Sequence, residues 1–127
     1  MFLLWCFMLL MVFLIPITMI GVGAQFLKKP PASINALSGY RTSMSMQNMD
    51  TWAFAHRCCG RIWLIMGVIM AGLGLVAMLF CLNKDIASIG VYGATVCGVE
   101  LTLFLFSFLP VEITLRKVFD PYGRRKE

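Results

Sequence analysis

Three long apolar stretches, with one charged residue among them, constrain this chain more than anything else in it. Residues 1–27 and 62–82 contain no Asp, Glu, Lys or Arg, and in residues 86–110 the only such side chain is Glu100. An apolar helix needs about 20 residues to cross a bilayer, and each run meets that length. Composition points the same way. Hydrophobic residues make up 60% of the 127 and charged ones 13%, against about 45–50% and about 25% in soluble domains. Too few polar residues remain to clothe a soluble domain. A soluble enzyme, a nucleic-acid binder and a disordered tail are therefore excluded. The fold class is all-α, with three transmembrane helices at about residues 2–27, 62–82 and 86–110. A loop at 28–61 and an amphipathic tail at 111–127 complete a single membrane domain.

The cations fix an expected orientation. Lys28, Lys29, Arg41, Arg57 and Arg61 fall between the first two runs, and Arg116, Lys117, Arg124, Arg125 and Lys126 follow the third. Lys84 alone separates the second and third. Lys and Arg gather in short cytoplasmic loops, so the N-terminus is expected outside and the first loop and tail inside. Attraction to anionic inner-leaflet lipid follows. A cleavable secretory signal is the rival reading of the first run, with Val22 and Ala24 before Gln25. No cation precedes its apolar core, which is also too long, and Lys28 and Lys29 serve better as a stop. Pro16 predicts a kink. Trp5 and Tyr92 are expected at the outer interface, and Trp63 at the inner one.

Between the first two runs the sequence changes character. Pro30, Pro31, Ser33, Asn35, Ser38, Gly39 and Asn48 favour turns. Asp50 or Thr51 then caps a short interfacial helix through Arg61. On that helix Trp52, Ala55, His56 and Cys59 share one face. The tail is expected to continue as an interfacial helix that frays at Pro121 and Gly123.

Few residues carry chemistry. The five cysteines form no C-x-x-C pair, so neither a disulfide framework nor a metal site is indicated, and His56 with Cys58 and Cys59 fits zinc spacing poorly. Catalytic motifs and cofactor fingerprints are lacking. Glu100 is an intramembrane carboxyl that must face the bundle and find a partner or a proton. Gly67 and Ala71, and Gly90, Ala94 and Gly98, repeat at four-residue spacing. They suit helix packing within the chain, a homodimer or another membrane protein. Tyr40, Arg41, Asn48, Trp52, His56 and Arg57 crowd into one segment outside the spans. Arg41 is suited to a carboxylate or phosphate, with Glu112 as an internal candidate, and His56 to titration near neutrality.

Asn35, Gly39-Tyr40-Arg41-Thr42, Ser45-Met46, Asn48, Trp52, His56-Arg57 and Gly60 together resemble the signature of the SdpI/YfhL membrane proteins. Pro110, Glu112, Leu115, Phe119, Asp120 and Gly123 are similar to that family's C-terminal pattern. The resemblance covers roughly residues 25–125 and implies a multi-pass protein of the bacterial cytoplasmic membrane. It further implies immunity to an SdpC-type killing peptide, or sensing of it, by non-catalytic binding. In that reading Asn35, Tyr40, Arg41, Asn48, Trp52, His56 and Arg57 shape a polar site. Glu112 would hold Arg41 or Arg57, and Glu100 would tune the bundle interior. Other roles compete: a small transporter or channel using Glu100, a membrane enzyme using Tyr40, His56 and Arg57, or a partner subunit using the small-residue faces.

Overall fold

The computed structural model describes residues 2–29, 32, 34 and 39–126. Four helices follow in order: α1 (Phe2–Lys28), α2 (Met49–Phe80), α3 (Ile86–Phe106) and α4 (Phe108–Val118). Three stretches are long and apolar enough to cross a membrane: Phe2–Lys28, Met49–Phe80 and Ile86–Val118. Asn35 lies outside the described residues.

The second span differs from the expected short helix followed by a separate run. α2 is one helix of 32 residues, about 48 Å at 1.5 Å per residue. That exceeds the roughly 30 Å hydrocarbon layer. No proline interrupts it, and a continuous helix leaves no carbonyls orphaned between residues 61 and 62. α1 likewise continues through Pro16. The third run, by contrast, does break. Pro110 has no N–H for the Phe106 carbonyl, and its ring crowds that group. α3 accordingly ends at Phe106 and α4 begins at Phe108.

The chain forms two compact units. Residues 1–20 and 65–106 make the first, and residues 21–64 and 107–127 the second. The first unit packs Trp5, Val12, Met78, Cys81 and Ile89 together, and the Trp5 indole N–H donates to the Met78 carbonyl at 2.8 Å. Small residues allow close approach here. A Cβ at Gly67 would meet the Pro16 carbonyl at 2.9 Å, and one at Gly93 would collide with Met8. Ala71 is half-buried. Packing within α3 thus falls on Gly93 rather than on the expected stripe. An added Cβ at Gly90 or Gly98 would meet nothing within 4 Å, and Ala94 is exposed. Asp85 opens α3, and the Ser88 hydroxyl holds its carboxyl below the usual range, as a helix-capping pair should.

The second unit holds the remaining ends of α1 and α2, the segment between them, α4 and the tail. Its tail does not fray. Phe119 and Arg125 form an antiparallel bridge, closed by Asp120 N–H to the Arg124 carbonyl at 2.7 Å and Lys126 N–H to the Val118 carbonyl at 2.8 Å. Gly123 turns the chain at φ +82°, where a side chain would also strike Asn48. Asp120 Oδ1 accepts the backbone N–H groups of Tyr122 and Arg124, each at 2.9 Å. The Arg124 N–H, first among these contacts, holds the Asp120 carboxyl below the ordinary carboxylate range. Its contribution is therefore complete above an unfolded Asp pKa of about 3.9 and is lost as pH falls through the depressed folded value. Amide-exchange protection of Tyr122 and Arg124 should fall over that acid range. Asp120→Ala should abolish it at neutral pH, and equal protection in the variant would refute the assignment.

Candidate functional site

The second unit is built around Tyr40. Its construction starts at the first turn of α2. Asn48 caps that helix: the Thr51 N–H donates to Asn48 Oδ1 at 2.9 Å, and the Asn48 N–H donates to Thr51 Oγ1 at 3.1 Å. This reciprocal pair satisfies donors that a helix start leaves open. The cap lies at Asn48 rather than at the expected Asp50 or Thr51. The Asn48 amide also donates to the Gly123 carbonyl at 2.7 Å, tying the cap to the tail. Thr51 Oγ1 reaches back to the Ser45 carbonyl at 3.1 Å. Ser45 and Thr42 exchange a second reciprocal pair, at 2.8 and 3.1 Å.

This turn delivers Tyr40 to three tethers. The Tyr40 backbone N–H donates to His56 Nε2 at 2.9 Å. Its carbonyl accepts from the Ser45 hydroxyl at 3.0 Å. Its phenol donates to Glu112 Oε1 at 2.8 Å. Burial first, and then the Glu112 carboxylate, pushes the phenol above its ordinary range. It stays protonated and acts as a donor. His56 is equally fixed. Its Nε2 must be an acceptor to receive an amide N–H, so the proton sits on Nδ1, which faces the Trp52 carbonyl at 2.8 Å. The ring is fully buried, 4.3 Å from the Trp52 ring and 4.7 Å edge-on from Phe26. A chain of rings continues from Phe26 to Trp63 and from Trp63 to Phe108, at 6.1 and 5.9 Å. The Trp63 indole donates to Ser107 Oγ at 3.0 Å.

The structure therefore divides the single polar site expected from the sequence. Trp52, Ala55, His56 and Cys59 do share a face, but that face is wholly buried. It packs against protein rather than lying on a membrane surface. Trp52 and His56 touch no solvent and act by positioning Tyr40. Arg41 and Arg57 line separate openings. One, of about 250 Å³, is framed by Phe26, Gly39, Tyr40, Arg41, Thr42, Trp63 and Phe108. Arg41 is exposed there, and Gly39 makes the preceding turn at φ +99°. The other, of about 480 Å³, is lined by Arg57 with Arg61, Thr114 and Arg125. Glu112 binds the Tyr40 phenol, a partner that charge counting alone did not suggest.

Glu100 belongs to the first unit. It is 4% exposed, and neither carboxyl oxygen has a hydrogen-bond partner among the described residues. Sequence reasoning missed Phe26 and Phe108, which frame the Arg41 opening, and it did not foresee that the Trp63 indole is buried beside them. Their signal was present only as aromatic residues within apolar runs.

Comparison with known proteins agrees with this architecture. The model of the SdpI/YfhL protein family matches residues 32–112, well over half of the chain. The uncharacterized protein YfhL of Bacillus subtilis (strain 168) is 39% identical over 57 residues, 45% of this chain and 52% of that protein. The chain thus spans about half the length of this relative. No solved structure matches. The matched segment carries Tyr40, Asn48, Trp52, His56 and Glu112, the residues that hold the second unit together, and the chain belongs to the SdpI/YfhL protein family.

Proposed function

We propose that this protein gives immunity to, or senses, a membrane-active peptide toxin by non-catalytic binding at the Arg41 opening. The observation that carries this reading is the rigid frame around that opening. Tyr40 is held at its N–H, carbonyl and phenol, while the neighbouring Arg41 is exposed beside Phe26, Trp63 and Phe108. An aromatic recess with a guanidinium at its mouth suits an apolar peptide side chain next to a carboxylate. The same frame disfavours catalysis. Both His56 nitrogens are engaged with backbone groups, and the Tyr40 phenol is held protonated, so neither offers a free general base.

In this reading the protein is multi-pass in the bacterial cytoplasmic membrane, with the N-terminus outside and the Arg41 segment inside. A toxin arriving from outside would be met once it has entered the bilayer. Ser43→Cys, in a chain whose five native cysteines are replaced by alanine, should resist an impermeant thiol reagent in intact cells and react after permeabilisation. Reaction in intact cells would reverse the orientation. The binding test uses the full chain in nanodiscs and a fluorescent SdpC-type peptide. Arg41→Ala should weaken binding about tenfold, the loss of about 1.4 kcal/mol. Unchanged affinity in a folded variant would remove Arg41 from the site.

A further inference from the structure

The second opening of this unit has no part in the toxin reading, yet its chemistry is specific. Ten of the eleven Lys and Arg residues lie in the segments that form the unit. Three of these arginines line one cleft of about 480 Å³, beside Phe54, Ile62 and Thr114.

The three guanidiniums are not equivalent. Arg125 gives its Nε and Nη2 donors to Asp50, both at 3.0 Å, and lies over the Phe119 ring at 5.1 Å. Its charge is balanced and its position is fixed. Arg57 and Arg61 are exposed, four residues apart on one face of α2. Among the described residues neither makes an ion pair or hydrogen bond. Like charges at this spacing repel and weaken a helix. Asp50, the nearest acid in sequence, is already taken by Arg125. Thr114 is engaged with the Pro110 carbonyl at 2.7 Å and with Cys58. The unused side-chain hydrogen-bonding capacity of the cleft is thus two guanidinium forks, which is what a phosphate requires.

We propose that Arg57 and Arg61 bind the phosphate of an anionic phospholipid headgroup. Position selects a lipid over free phosphate. Arg61 immediately precedes the uncharged stretch of α2, and the cleft wall continues into it through Ile62. A phosphate held by the arginines would be followed by acyl chain along an apolar surface, to which inorganic phosphate is indifferent.

The test follows the unfolding temperature and lipid retention of the full-length protein in neutral detergent at physiological salt. Phosphatidylglycerol, phosphatidylcholine and inorganic phosphate are each added at matched concentration. Phosphatidylglycerol alone should stabilise the protein and stay bound. The double variant Arg57→Gln/Arg61→Gln should lose about tenfold in affinity or more. Lys28→Gln/Lys29→Gln removes the same charge elsewhere and should change it by no more than about twofold. Arg57→Lys/Arg61→Lys keeps the charge without the planar fork and should fall between these two. Equal losses in the two glutamine variants would mean diffuse attraction and overturn the site. Stabilisation by inorganic phosphate equal to that by phosphatidylglycerol would overturn the lipid assignment.

Discussion

His56→Ala should cost the fold about 4 kcal/mol, a large part of the stability of a small domain. Two effects add. The Tyr40 N–H loses its acceptor in a buried setting, which costs about 1–3 kcal/mol. The empty ring volume between Trp52 and Phe26 costs a further amount typical of a large-to-small core change, about 2 kcal/mol or more. Thermal unfolding of a fluorescent fusion in detergent measures the sum. His56→Gln separates the two effects. Its side-chain oxygen can stand where Nε2 stands and accept from Tyr40, so it should recover about half of the loss. An alanine variant as stable as the parent would mean that the hydrogen bonds at 2.9 and 2.8 Å do not organise the unit.

The second large effect lies where α1 meets α2 within the same unit. A Cβ at Gly60 would stand 2.8 Å from the Gly23 carbonyl oxygen, and a Cβ at Gly23 would stand 2.8 Å from that of Gly60. Both obstacles are backbone, so no rotamer change relieves them. Small residues that let helices touch in this way are a main source of association in lipid. Gly60→Val should cost about 3 kcal/mol, at the upper end of overpacking, and reduce the folded yield sharply. Gly72→Ala is the control. Nothing lies within 4 Å of its added Cβ, and the change should stay within about 1 kcal/mol. Equal stability of Gly60→Val and the parent would show that the helices do not approach at this point.

Much of this architecture was legible because membrane spans are written in length and charge. Three apolar runs, with Glu100 the only charged residue in them, became three stretches long and apolar enough to cross. The helical spacing of Trp52, Ala55, His56 and Cys59 correctly grouped them. It could not say whether that face met lipid headgroups or protein, because an interfacial face and a buried face share the same periodicity. The cap at Asn48 depends on Thr51 acting in place of the usual glutamate of a capping box, a pairing that is weak in sequence. Breaking the third run near Phe106 was within reach of Pro110, since a helical proline disturbs the residue four places earlier. The Arg57–Arg61 pair was visible as charge, but its exposure became meaningful only once Asp50 was seen to hold Arg125, 75 residues away. The small-residue stripe at Gly90, Ala94 and Gly98 illustrates the opposite case. The spacing is present, yet the close approach within the chain falls on Gly93, which that stripe does not include.

The Arg41 opening and the rigid unit behind it are central to the functional proposal, and one measurement addresses them together. A sensitive bacterium expressing this protein is challenged with an SdpC-type peptide and with unrelated membrane-active peptides. The parent and Arg41→Ala are compared at matched, folded levels in the membrane. Survival against the SdpC-type peptide alone, lost in Arg41→Ala, is the predicted result. Failure of the parent to protect, or undiminished protection by Arg41→Ala, would contradict toxin binding at this site.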